Sequence, residues 1–214
     1  MLSTPLLALA LAVAPAPCAG RPVLAPPVAE RAGDSLVALY DRGRTWQQFI
    51  DSAKARRQTW LDNHANGAPD SAAVARAALV PGRWRFLVVA EDACGDSANT
   101  IPYLARLVEA VPTLDLRIVN SAEGRWVMDS HQTEDGRGAT PTVVLLDEQG
   151  AERGCWVERP YVLRKLVAEV RAGTVAGNLM EVVTAWRRED QGRSTINDLL
   201  DLLDAAAAGT VRCP

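Results

Sequence analysis

The chain has 214 residues, of which 48% are hydrophobic and 23% charged, so wholesale disorder is excluded and there is enough chain to bury a core. Its 23 basic and 26 acidic residues leave a net charge of −3, with no basic excess to attract nucleic acid or anionic lipid. Four cysteines are too few for a disulfide-dense scaffold and too widely spaced for a zinc cluster; with only His64 and His131 as histidines, no metal site and no cofactor are expected.

In chain order, Leu6 to Ala16 is an apolar run too short to span a bilayer, which needs about 20 residues. It has the length of a signal-peptide core, and small residues accompany it: Ala14, Ala16, Ala19 and Gly20. Residues 1–20 are therefore expected to be a signal peptide, and the protein to be exported to a periplasmic or other extracytoplasmic location. The absence of Lys or Arg before Arg21 keeps a cytoplasmic protein with an unstructured leader as the alternative. A lipid anchor at Cys18 would need a small residue where Pro17 stands, and membrane contact is expected only through such a leader. Residues 21–33 read as a Pro-rich linker.

From Asp34 to about His64 the apolar residues fall on one helical face, and a second helix is expected over Ser71–Leu79, stopped by Pro81-Gly82; together these make an N-terminal helical extension over residues 34–82. Arg85 to Ala90 is a short apolar run, hence a buried strand. Ser97–Val111 fits a helix, Leu114–Val119 alternates as a strand, and Gly124–Gln132 is a shorter helix. Thr142–Leu146 is a further strand, turned by Asp147–Gly150 into a hairpin partner over Ala151–Val157. A helix follows Pro160, and two more, near Asn178–Glu189 and Thr195–Ala208, are expected to pack on each other as an appended pair within residues 174–214. The β-α-β-α-β-β-α order predicts an α/β fold: a mixed sheet covered by helices on both faces.

Cys94 lies between the first strand and the helix that follows. A thiol there meets unpaired helix N–H groups and the positive end of the dipole, which favour the thiolate, the nucleophilic form. Gly95 allows a tight turn, and Ser97 is placed to cap the helix or to donate its hydroxyl to the sulfur. Asp96 acts in the opposite sense, as a carboxylate beside the thiol. Glu91 and Asp92 are read either as a proton relay or as an exposed acidic turn, His131 as a solvated loop residue, and Trp126 and Trp156 as core or groove-lining residues. There is no dinucleotide, phosphate-loop, zinc-protease or serine-hydrolase motif. A peroxidase Pro-x-x-x-Thr-x-x-Cys pattern is also missing, since Leu87 and Glu91 stand at its key places.

Cys94-Gly95-Asp96-Ser97, Pro102 eight residues after the cysteine, Thr140-Pro141 before a strand, and Gly154-Cys155-Trp156 followed by Pro160 together resemble the thioredoxin-like proteins, in particular a monothiol Cys-Gly-Asp type. The resemblance implies a four-stranded thioredoxin-like sheet over residues 83–173, a cis bond at Pro141, and a Thr140 backbone that faces Cys94 and pairs with an extended substrate. Two departures stand out: Ala93 where tryptophan is usual, and Ser97 where a second cysteine would resolve a mixed disulfide. The implied function is thiol-disulfide exchange by Cys94, acting on protein or low-molecular-weight disulfides with an external thiol as reductant. The alternative is a catalytically inert thioredoxin-fold binding or adaptor module. Cys155, at the end of the hairpin, is read either as a resolving cysteine or as a small core residue. Cys213, in a tail expected to be mobile, is left to pair with Cys155 or with Cys18.

Overall fold

The structure is a computed structural model that describes residues 35–67 and 69–213. The expected signal peptide, Cys18 and the linker lie outside the described residues. Four strands, β1 (Trp84–Val89), β2 (Leu114–Val119), β3 (Thr142–Leu146) and β4 (Glu152–Val157), form one sheet in the order β2-β1-β3-β4. β1 and β2 are parallel, whereas β3 is antiparallel to both its neighbours. β1 and β3 are nearly continuous apolar runs because the sheet is covered on both faces. Phe86, Val88, Val143, Leu145 and Trp156 supply one face, and Leu87, Val89, Val119, Val144 and Leu146 the other.

In chain order the helices are α1 (Leu36–Arg42), α2 (Trp46–Ser52), α3 (Arg57–Asn66), α4 (Ser71–Leu79), α5 (Gly95–Ala98), α6 (Ile101–Ala110), α7 (Arg125–Ser130), α8 (Tyr161–Arg171), α9 (Leu179–Asp190) and α10 (Arg193–Ala207). The first face is covered by Phe49 and Ile50 of α2, Trp60 of α3, Ala77 of α4, Ile101 and Leu104 of α6, and Leu199 and Leu203 of α10. Leu39 and Tyr40 of α1 and Val127 and Met128 of α7 cover the second. The mixed sheet with helices on both sides is thus as expected.

The single helix expected over residues 34–64 is three helices. At Gly43 and Arg44 the chain turns to exchange two backbone hydrogen bonds, each 2.8 Å, between Arg44 and Ile118, which covers the outer edge of β2. At Lys54–Arg56 it breaks again, because the N–H groups of Lys54 and Ala55 donate to the Asp92 carboxylate at 2.7 and 2.9 Å. The helix expected over Ser97–Val111 also breaks, at Asn99-Thr100. Pro102 has no N–H to give the Ala98 carbonyl four residues back, and Asn63 Nδ2 donates to that oxygen instead, at 2.8 Å.

The C-terminal helices do not form the expected pair. α9 lies against α8, where Leu163, Val167 and Val183 are buried together and are each worth roughly 1.5–3 kcal/mol. α10 runs over α4, α6 and β4. Between them Gln191 and Gly192 both take left-handed backbone conformations, and a Cβ on Gly192 would lie 2.2 Å from the Tyr103 ring. That turn sends α10 back over the sheet instead of along α9.

Candidate active site

β1 ends at the loop 90–93, and Cys94 is the N-cap of α5. Its half-buried Sγ accepts a hydrogen bond from Ser97 N at 3.4 Å, and its thiol donates to the Thr140 carbonyl at 3.3 Å. The Thr140-Pro141 bond is cis. Cys94, Ser97, Thr140 and Pro141, brought together from positions 46 residues apart, therefore share one end of the sheet. The Ser97 hydroxyl does not reach the sulfur: it is buried without a hydrogen-bond partner, and it is the Ser97 backbone that serves Cys94.

The N-terminal helices hold this loop. Besides the Asp92 carboxylate bonds, Trp60 Nε1 donates to the Asp92 carbonyl at 3.0 Å and Arg56 Nε to the Ala93 carbonyl at 2.8 Å. The N–H groups of Ala55 and Lys54 hold the Asp92 carboxyl below its usual range, since they bond only its ionised form well. Glu91 accepts from Ser121 N and Oγ at 2.7 and 2.6 Å. Glu91 and Asp92 are thus neither a proton relay nor a free acidic turn; they pin the loop to its neighbours.

Asp96 is held by two arginines. Arg159 pairs with it through two bonds, Nε to Oδ1 at 2.9 Å and Nη2 to Oδ2 at 2.7 Å, and Arg187 of α9 bonds Oδ1 as well. The field of Asp96, which opposes a thiolate, is therefore offset by two guanidinium charges. Burial works against the charge of Arg159, but Asp96 and Glu158 outweigh it and hold its pKa above the usual value. Arg187 is pushed the other way, by burial and by Arg159 beside it, while Asp96 and a thiolate at Cys94 favour its charged form. A cavity of about 10 Å³ beneath this cluster, beside Thr100 and Tyr103, has room for roughly one water.

Cys155 is bonded to Cys213. Of the two pairings left open for Cys213 this is the one formed, and it ties the tail to β4 rather than leaving it mobile. It also removes Cys155 as a resolving partner in this state, because its sulfur is already engaged. Among the described residues Cys94 is the free cysteine. His131 is buried instead of solvated, with Nδ1 2.7 Å from the Val127 carbonyl and Nε2 2.9 Å from Glu152. Trp156 is a core residue whose Nε1 donates to Asp198 at 3.1 Å. Arg56, Trp60, Arg159 and Arg187 were missed in the sequence. Arg159 had a signal, since it stands between Trp156 and Pro160 in the matched stretch; Arg187, on a distant helix, had none.

A thioredoxin family model matches residues 43–171, from just before α2 through α8. Among solved structures, the fold is similar to a crystal structure of a protein of unknown function from Pseudomonas aeruginosa, with 23% identity, a TM-score of 0.64, and coverage of 80% of this chain and 98% of that one. An HIV epitope-scaffold is similar to the same extent, with 24% identity, a TM-score of 0.64, and 80% and 98% coverage. At such identities the likeness is one of fold. No curated protein matches the chain. With more than half of its 214 residues matched by the family model, and with the strand order and helix cover the fold requires, the chain belongs to the thioredoxin family.

Proposed function

We propose that the protein is a thiol-disulfide oxidoreductase of the monothiol Cys-Gly-Asp kind, with Cys94 as its one nucleophile. The observation that carries this reading is the setting of Cys94 Sγ, at a helix N-cap with Ser97 N donating to it and the Thr140 backbone across from it. An ionised Cys94 attacks one sulfur of a protein or small disulfide. A Cys94–sulfur bond forms, the substrate's S–S bond breaks, and the second substrate sulfur leaves as a thiolate. With Ser97 at the position of a second cysteine, release needs an external thiol. Its thiolate attacks the mixed disulfide, carries off the bound half as a new disulfide, and returns Cys94 as thiolate. The site residues have distinct parts in this: Cys94 reacts, Ser97 N supports its sulfur, Gly95 and Asp96 shape and hold the turn, and Thr140 and Pro141 line the approach.

The Cys155–Cys213 disulfide supports an oxidising, extracytoplasmic location, in line with the leader read at residues 1–20. The functional reading is tested by turnover of a small disulfide with a monothiol reductant, comparing the wild type with Cys94→Ser. Turnover lost in the variant is the expected result. A wild type with no turnover would leave a binding module instead.

A further inference from the structure

A second group of sulfur and nitrogen atoms lies at the β4 edge, on the sheet face packed by α7. Leu145 pairs with Gly154 but Leu146 pairs with Glu152, so Arg153 is an extra residue in β4. The bulge places Glu152 on the same face as Cys155, which pairs with Val144. The tail runs along the β4 edge beside Gly154, where a Cβ would lie 2.5 Å from the Arg212 carbonyl, and Cys155 N donates to that carbonyl at 2.8 Å. Cys213 follows directly. His131, which ends α7, completes the group: one ring nitrogen and the sulfurs of Cys155 and Cys213 all lie within 4.8 Å of one another.

We propose that, once the Cys155–Cys213 disulfide is reduced, His131, Cys155 and Cys213 form a binding site for a thiophilic divalent cation, with zinc the best fit. Two thiolates and one imidazole are a zinc donor set, and tetrahedral bonds of about 2.3 Å to sulfur and 2.0–2.1 Å to nitrogen need ligand atoms roughly 3.5–3.8 Å apart. The imidazole is already oriented for the task. Its Nδ1 is held by the Val127 carbonyl, the arrangement that fixes a ligating ring, and Nε2 becomes a ligand by giving up its contact with Glu152. The three protein ligands leave the fourth tetrahedral position to a water molecule, and the Glu152 carboxylate released from Nε2 stays beside the site. Cys213 is exposed, so the cation has a path in, while Cys155 and His131 are buried. The wide spacing in sequence that spoke against a zinc site is closed by the hairpin, the end of α7 and the tail.

The two states are linked by a balanced exchange. A dithiol or phosphine reductant supplies two electrons, the disulfide becomes two thiols, and the cation displaces their protons as it binds. The closed disulfide and the loaded site therefore exclude each other.

The test uses the full chain carrying Cys18→Ser and Cys94→Ser, so that only Cys155 and Cys213 remain. After phosphine reduction, cobalt(II) is added as a spectroscopic probe and then displaced by zinc. The expected result is one equivalent bound with a thiolate-to-cobalt absorption band, and no band in the unreduced protein. Cys213→Ser, at an exposed tail position, and His131→Gln should each weaken binding by more than about tenfold, with circular dichroism reporting that the fold is kept. A reduced chain with no cobalt–thiolate band would overturn the proposal, as would equal affinity in folded Cys213→Ser.

Discussion

Asp96→Asn should destabilise the protein more than Arg187→Met, although each removes one member of the same cluster. The side chains of Asp96, Arg159 and Arg187 are 15%, 19% and 20% exposed, so the charges are poorly solvated. Asparagine keeps the shape of Asp96 but leaves two guanidinium groups side by side without their shared carboxylate. Stripping a buried charge of its partner costs about 3–5 kcal/mol, and the residual exposure here argues for the lower end. Arg187→Met removes one charged hydrogen bond, worth about 1.5–3 kcal/mol, but leaves the two-bond pairing of Arg159 with Asp96 intact. It also relieves the burial of Arg187, so about 1–2 kcal/mol is expected. Urea unfolding followed by tryptophan fluorescence measures both, with an unchanged slope as the check on comparability. The double variant should recover stability relative to Asp96→Asn, because Arg187, the guanidinium left without a carboxylate, has gone while Arg159 keeps Glu158. An Asp96→Asn loss no larger than that of Arg187→Met, or a double variant whose losses simply add, would refute the three-charge reading.

Asp92→Asn should cost about 1–2 kcal/mol at pH 7, through weaker bonds from Lys54 and Ala55. Because the folded pKa of Asp92 is lowered, that contribution is complete above the unfolded value of about 3.9 and is lost as pH falls through the folded one. The gap between wild type and variant should therefore close in acid; a gap constant with pH would speak against the carboxylate. Ser97→Cys sacrifices no side-chain hydrogen bond, since the hydroxyl has no partner, so stability should change by less than about 1 kcal/mol. It should also raise insulin-disulfide reduction in the presence of a dithiol by supplying an internal resolving thiol, and an unchanged rate would count against the exchange mechanism. Cys213→Ser opens a 58-residue cross-link and should lower stability under oxidising conditions by about 4 kcal/mol, read as a fall in Tm that vanishes when both proteins are reduced.

The strands were legible because the core is two-sided. Phe86–Val89 and Val143–Leu146 are apolar at every position, and such runs bounded by turns have few other homes. Cys94 was legible for the same local reason, as a thiol between a buried strand and a helical pattern. What failed depended on distant partners. The apolar face over residues 34–64 is continuous in sequence, but Ile118 and Asp92 draw the chain out of helix at Arg44 and at Lys54–Ala55. The faces of α9 and α10 were visible, but amphipathicity does not say which surface a face meets, and Leu163 and Val167 took the place expected for α10. His131 lay in a polar stretch, and only the fold brings Glu152 and the Val127 carbonyl to it. The charge of Asp96 could not be weighed while Arg187, 91 residues away, was out of view.

The role of Cys94 is tested most directly by intact-mass analysis of the protein after a single exposure to a small disulfide. Apart from any adduct on Cys18 in the leader, one adduct is expected, mapped by peptide mass to Cys94, stable in the wild type until a monothiol is added and then fully removed. An adduct on Cys94 that the wild type clears without any added thiol, or a Cys94 that stays unmodified in the folded protein, would contradict that role.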